Sequence, residues 1–233
     1  MNRVNLINFL LAKIRSSSYL EIGVRDGKTI SKIKAKFKVG VDPAYQLKKE
    51  LVLKELFKLN DFKLFKLTSD NFFVNKAKKV FPNGIDVVFV DGLHNYDQSL
   101  RDVLNSLKFL NQNGFIVLHD CNPKGAAQAY PIKESYAEVV AQLQNGGIEG
   151  WTGEWNGDVW KTIVHLRTFN PDLKVITIDS DQGLGVITFG KNEDLLKIKK
   201  EELLNANFDF LEENRNELLG LLSVVDFLEA YKS

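Results

Sequence analysis

The sequence predicts an α/β protein with a doubly wound, mostly parallel sheet of about seven strands and helices on both faces. Three observations predict it. By residue 120, five short apolar runs alternate with helical patterns, the order produced by crossover-connected parallel strands. Those runs end in glycine or an acidic residue, as strands do at a binding crevice. Two later runs, Leu173–Ile178 and Val186–Phe189, are separated by a short Asp/Gly-rich connection. They read as an antiparallel hairpin at one end of the sheet.

Val4, Ile7, Leu10, Leu11 and Ile14 recur at helical spacing, so residues 3–15 read as an amphipathic helix that Ser16–Ser18 break. Tyr19–Gly23 is the first strand, and the pattern from Lys28 to Lys36 begins a helix. Phe37–Val41 is the second strand, and Pro43 holds Asp42 extended at its tip. Gln46–Leu59 is strongly helical, and Phe62–Leu67 is the third strand. It closes on Thr68-Ser69-Asp70, where Ser69 or Asp70 caps the next helix. Ile85–Val90 is apolar except for Asp86, as in a strand buried on both faces. Tyr96–Leu110 is helical, Asn113-Gly114 is a stop and turn signal, and Phe115–Leu118 is the fifth strand. Beyond it lie a loop over Pro123–Pro131, a helix over Ile132–Leu143, a Gly/Trp-rich stretch to Asp158 and a helix over Trp160–Phe169. The hairpin follows, and then Glu193–Tyr231, helical in pattern with mixed charge, expected on the outside or at a subunit contact.

The 233 residues suffice for one sizeable core, read as a domain over 1–192 with an acceptor-side insertion at about 121–160, followed by a helical extension over 193–233. With 31 basic and 30 acidic residues the net charge is +1, so no global field calls for nucleic acid or a membrane. The early lysines, Lys28, Lys32, Lys34, Lys36 and Lys38, alternate with apolar residues and read as a solvated face. The single cysteine, Cys121, excludes an internal disulfide and fits a reducing compartment. The apolar Asn5–Ile14 stretch is too short for a signal and lacks a cleavage site, and no run has a spanning length. The expectation is a soluble, cytoplasmic protein, with homo-oligomerisation open.

The polar residues that suggest chemistry sit at strand ends: Glu21 and Gly23, Asp42, Ser69 and Asp70, Asp91 and His94, His119 and Asp120. Asp42 follows Gly23 by 19 positions, about the distance at which an acid meets a ribose diol in dinucleotide-type sites. The first turn has Gly23 and Gly27 but lacks the full glycine pattern that suits a pyrophosphate, and Glu21 beside it would repel one. A zwitterionic or cationic ligand tolerates that acid. The balance moves from NAD toward S-adenosylmethionine.

Glu21-Ile-Gly23-Val-Arg-Asp-Gly27 resembles the first motif of class I S-adenosylmethionine-dependent methyltransferases. Asp42 stands where that superfamily's ribose-binding acid ends the second strand. Ser69-Asp70 resembles its adenine-contacting loop, and the terminal hairpin is similar to its last two strands. The resemblance covers roughly residues 15–190 and implies a Rossmann-like fold with S-adenosylmethionine held by Glu21, Gly23, Gly27, Asp42, Ser69, Asp70 and Asp91.

A narrower resemblance lies in Asp91-Gly-Leu-His94-Asn-Tyr96 and Val117-Leu-His119-Asp120. It is similar to the metal-dependent O-methyltransferases acting on sugars of natural products. That resemblance implies a divalent ion, Mg²⁺ or Mn²⁺, at Asp91, His119 and Asp120, with His94 the general base beside Asp91. His119 departs from the family's usual acid there. An imidazole is a poor ligand for Mg²⁺ and suits softer ions better.

Trp151, Trp155 and Asp158, with Asn156 and Trp160 among them, form the expected acceptor side: aromatic faces and polar partners suit a sugar. Cys121 reads as a buried bystander and His165 as structural. The expected function is S-adenosylmethionine-dependent O-methylation of a sugar or glycosylated small molecule. The alternatives are an inactive binding module on the same fold and, less favoured, an NAD-dependent oxidoreductase.

Overall fold

The computed structural model describes residues 1–15, 18–47 and 61–231. They form two compact units: Met1–Gly92 with Arg101–Leu118, and Leu93–Leu100 with His119–Ser233.

The first unit opens with helix α1 (Arg3–Lys13), whose Leu6, Ile7, Leu10 and Leu11 are buried. Its five strands are β1 (Ser18–Ile22), β2 (Phe37–Val41), β3 (Asp61–Phe65), β4 (Ile85–Val90) and β5 (Leu110–Leu118). They are all parallel, in the order β3-β2-β1-β4-β5. That order puts β1 in the middle and reverses direction between β1 and β4, the switch point where open α/β sheets hold ligands. β1 is buried along its whole length, as a central parallel strand must be. Helices α2 (Ser69–Asn75) and α3 (Ala77–Val80) follow β3. Phe72 of α2 packs on Phe65, Phe73 and Phe81 with ring centroids 5.2, 5.7 and 6.5 Å apart. This aromatic cluster closes one face.

After α4 (Tyr96–Leu107) and β5, the second unit contains α5 (Ala137–Gln144), α6 (Trp160–Phe169), β6 (Leu173–Ile178), β7 (Leu184–Phe189), α7 (Lys200–Asn205), α8 (Phe208–Leu219), β8 (Leu221–Leu222) and α9 (Val224–Ala230). β6 pairs antiparallel with β7 and parallel with β8. Its core is built on α6, with Trp160, Ile163, Val164 and Leu166 buried. Arg167 ties α6 to its neighbours: Nη1 donates to Val175 O at 2.8 Å and Nη2 to Glu217 O at 3.3 Å. The described strands therefore number eight and are mostly parallel. None of the described helices is long and apolar enough to cross a membrane.

Several expectations need correction. The helix expected from Lys28 is only a 3-10 turn, Ile30–Lys32. Asn8 of α1 takes the backbone groups a helix would have used: its Oδ1 accepts from Lys34 N at 2.7 Å and its Nδ2 donates to Lys32 O at 3.1 Å. Thr68, not Ser69 or Asp70, caps α2 by accepting from Asn71 N. Asn113-Gly114 is not a turn but part of β5, which begins at Leu110. The register of β4 and β5 shifts between Ile85 and Val87, and a Cβ on Gly114 would lie 2.8 Å from Asp86 O. A glycine at such an irregularity admits a close backbone approach. The helix expected from Ile132 starts only at Ala137. β8 interrupts the region expected to be wholly helical. The helix expected over Gln46–Leu59 falls almost wholly outside the described residues.

Candidate functional site

In the first unit the candidate cofactor residues gather at the carboxyl ends of β1, β2 and β4. Gly23 follows β1 with φ +86, and its N–H donates to Val41 O at 2.9 Å. A Cβ there would lie 1.9 Å from Asp91 O, so only glycine lets the β1 turn close on the β4 tip. Gly27, φ +77, donates to Val24 O at 2.8 Å and completes the turn. Asp42 fastens it from the side. Its Oδ2 accepts from Arg25 N at 2.8 Å and its Oδ1 from Ala44 N at 2.6 Å. Arg25 is thereby held at φ 48, a left-handed conformation that needs such support. Each Asp42 oxygen keeps a second lone pair, so the carboxylate can still accept from a ribose diol.

Glu21 lies beneath this turn and is 1% exposed. Tyr19 Oη donates to its Oε2 at 2.5 Å. Burial pushes the carboxyl up to about 8; the charge of Asp91 adds to the rise, while the Tyr19 hydrogen bond, a backbone hydrogen bond from Ile30 and the nearby Lys38 oppose it. Lys38 is itself fully buried and donates to Ile30 O at 3.1 Å. Glu21 therefore supports the turn from inside. Ser69 is buried in the first turn of α2, and Asp70 beside it meets Arg101 Nε at 3.6 Å and Asn105 Nδ2 at 3.4 Å.

The second unit holds the histidines. His94 Nδ1 lies 3.1 Å from Trp155 O, and Nε2 lies 3.1 Å from Asp120 Oδ2. A carbonyl only accepts, so Nδ1 carries a proton. The ring stacks on Trp155 with centroids 4.9 Å apart and planes at 22°. Trp155 is fixed in turn by its Nε1–H, which donates to Tyr130 O at 2.8 Å.

Asp120 is 4% exposed and has φ 62. Strain of this kind gathers at functional sites, and Asp tolerates it better than most residues. Its Oδ2 also lies 2.8 Å from His119 Nδ1, and its Oδ1 accepts from Asn156 Nδ2 at 3.0 Å. His119 Nε2 is turned toward Asp181 Oδ1 at 3.7 Å. Asn95 caps α4 by accepting from Gln98 N at 2.8 Å.

The stretch from Trp155 to Asp158 does most of this positioning. Trp155 holds the His94 ring, and Asn156, fully buried, holds Asp120. Gly157, φ +61, is where a Cβ would lie 1.8 Å from His94 O. Asp158 Oδ1 accepts from Tyr96 N at 2.7 Å, the first N–H of α4. Asp158 is largely buried and its carboxyl is raised by that burial. Trp151 is half-buried on the same segment, its N–H donating to Ile148 O at 3.1 Å. Cys121 is fully buried with its thiol pushed up by desolvation, and its N–H donates to Gly183 O at 3.1 Å. His165 Nδ1 lies 2.7 Å from Tyr96 Oη. Sequence reasoning missed Gln182, Asp181 and Arg3, which meet Asn156, His119 and Asp91 respectively. Only Arg3 carried a signal, as a cation in the first turn of a helix.

The expected metal can be tested on these partners. Asp91 Oδ2 already receives Arg3 Nη1 at 3.2 Å. Asp120 Oδ1 accepts from Asn156 and its Oδ2 lies near His94 Nε2 and His119 Nδ1, while His119 Nε2 stands 3.7 Å from Asp181 Oδ1, beyond hydrogen-bond reach. A guanidinium already on Asp91, together with a nitrogen ligand at His119, fits an oxygen-seeking Mg²⁺ poorly. The cofactor turn fits its ligand better, with a glycine that lets the turn close on the β4 tip and an acid with acceptor capacity to spare.

Residues 20–121 match the family model of a methyltransferase domain. An uncharacterised protein of Acanthamoeba polyphaga mimivirus is 29% identical over 140 residues, which cover 55% of this chain and 62% of that protein. The match thus spans less than two thirds of that relative's length. Among solved structures, the SAH-bound methyltransferase PaMTH1 of Podospora anserina aligns with a TM-score of 0.52 at 17% identity, covering 81% of this chain and 78% of that one. A caffeoyl-CoA O-methyltransferase-like protein of Staphylococcus aureus aligns with a TM-score of 0.52 at 15% identity, covering 80% and 82%. At such identities the likeness is one of fold. The chain has the Rossmann-like methyltransferase fold, and the resemblance to class I S-adenosylmethionine-dependent methyltransferases holds.

Proposed function

We propose that this chain, with a methyltransferase-domain sequence on a methyltransferase fold, is an S-adenosylmethionine-dependent O-methyltransferase whose acceptor is a small hydroxylated molecule, a sugar or a glycosylated metabolite. One observation carries the reading: the Gly23 turn closes on the β4 tip at the switch point, with Asp42 beside it. Gly23, Asp42 and Asp91 would hold the cofactor, with Ser69 and Asp70 toward its adenine. When bound, that cofactor supplies a methyl group made electrophilic by a sulfonium.

The acceptor oxygen gains the methyl and must lose a proton. His94 is the residue for that work. With Nδ1–H fixed on Trp155 O, the neutral ring carries its lone pair on Nε2. This lone pair can take the hydroxyl's proton, and Asp120 stabilises the imidazolium that results. No step requires a metal. Asn156 and Trp155 act through Asp120 and His94 as positioning residues, and Trp151 and the exposed Tyr136 offer aromatic surface to an acceptor.

The direct test is isothermal titration of the chain with S-adenosylmethionine and S-adenosylhomocysteine, followed by transfer of labelled methyl to a panel of glycosides. Saturable binding of both ligands is expected. Failure to bind either at millimolar concentration would overturn the reading.

A further inference from the structure

Arg3 stands in the first turn of α1, where the N-cap Asn2 accepts from Asn5 N at 2.9 Å. A cation at this end opposes the helix dipole, and no acidic residue shares the turn to offset it. Its Nη1 reaches out of the helix and donates to Asp91 Oδ2 at 3.2 Å. The two side chains are 27% and 20% exposed, withdrawn from bulk water yet open to a ligand. Asp91 is the residue whose carbonyl would meet a Cβ on Gly23. The ion pair therefore sits at the tip of β4, against the glycine turn.

The amino-acid end of S-adenosylmethionine is a zwitterion, one carboxylate and one ammonium. A site for it needs a cation and an anion within a few ångströms of each other, and neither can stay unpaired in the free protein without cost. Arg3 and Asp91 meet both requirements. They neutralise each other when alone, and each has an opposite charge to take up when the zwitterion arrives. The guanidinium offers a planar pair of donors matched to a carboxylate, and Asp91 is an acceptor for an ammonium. We propose that Arg3 binds the carboxylate of the cofactor's methionine end and Asp91 its ammonium, so that α1 is part of the cofactor site. The inference rests on the methyltransferase reading above.

The test compares two ligands by isothermal titration of the full chain. S-adenosylhomocysteine carries the zwitterion; 5′-methylthioadenosine keeps the adenosine and thioether but lacks the amino-acid end. Arg3→Gln is expected to weaken S-adenosylhomocysteine about tenfold or more, the value of a charge-assisted hydrogen bond, while leaving methylthioadenosine within about twofold. Arg3→Lys, which keeps the charge without the fork, is expected to fall between, and it also serves if Arg3→Gln fails to fold. Equal weakening of both ligands would mean that Arg3 only props the turn. Unchanged binding of S-adenosylhomocysteine would mean that the carboxylate is held elsewhere. Either result overturns the proposal. A wild-type chain that binds neither ligand instead overturns the methyltransferase reading, and this inference with it.

Discussion

His94 is held on three sides: a carbonyl at one nitrogen, a carboxylate at the other and an indole across its face. So much positioning for a ring 21% exposed is more than a surface histidine needs. His94→Gln keeps a donor for Trp155 O but removes the base. Methyl transfer is expected to fall by about 10² to 10⁴, the usual contribution of a general base, with the affinity for S-adenosylhomocysteine unchanged by titration. An equal loss in both would place His94 in cofactor binding instead.

Glu21 makes a different prediction, one of stability. Its carboxyl is raised by burial from 4.5 to about 8, so between those values the native state binds a proton that the unfolded state has released. Stability from the neutral form is complete below about 4.5 and is lost as pH rises toward 8. Glu21→Gln keeps the neutral shape and cannot ionise. Between pH 6 and 8.5 the urea midpoint of the wild type should decline relative to the variant. Parallel pH profiles would show that Glu21 is ionised throughout.

At the scale of elements, α4 begins where it does because two side chains from different parts of the chain meet its first turn. Asn95 accepts from Gln98 N, and Asp158 accepts from Tyr96 N. Asp158→Ala should cost about 1 kcal/mol in urea unfolding, a typical cap value, whereas Asp158→Asn should cost less because an amide oxygen also accepts. A loss in acceptor KM without a loss of stability would assign Asp158 to the acceptor instead. The same scale shows where local pattern misleads. The Lys28–Lys36 stretch has helical spacing, but its backbone is claimed by Asn8, more than twenty residues away in the chain. Asn113-Gly114 has a turn's composition, yet it lies within β5, at the register shift between Leu110 and Phe115. Both are tertiary contacts overriding a local preference.

For the whole molecule, the guanidinium on Asp91 and the nitrogen donor at His119 predict that Mg²⁺ added after EDTA treatment does not raise methyl transfer. A rise with Mg²⁺ would mean that the ion displaces Arg3.

The sequence by itself determined the class of fold. Strands β2, β4 and β6 and helix α6 lie where their apolar patterns put them, because buried parallel strands and amphipathic helices leave periodic signatures within a few residues. It also determined which residues end the strands, and hence the candidates Gly23, Asp42, Asp91, His94 and Asp120. What each of them does was decided only by tertiary structure. That Asp42 braces Arg25, that Glu21 lies under the turn, that Trp155 and Asp158 brace His94 and α4, and that Arg3 meets Asp91 all depend on contacts between residues far apart in the chain. Spacing along the chain records no distance across the fold, and the charge a carboxylate finally faces is set by whichever neighbour folding brings to it.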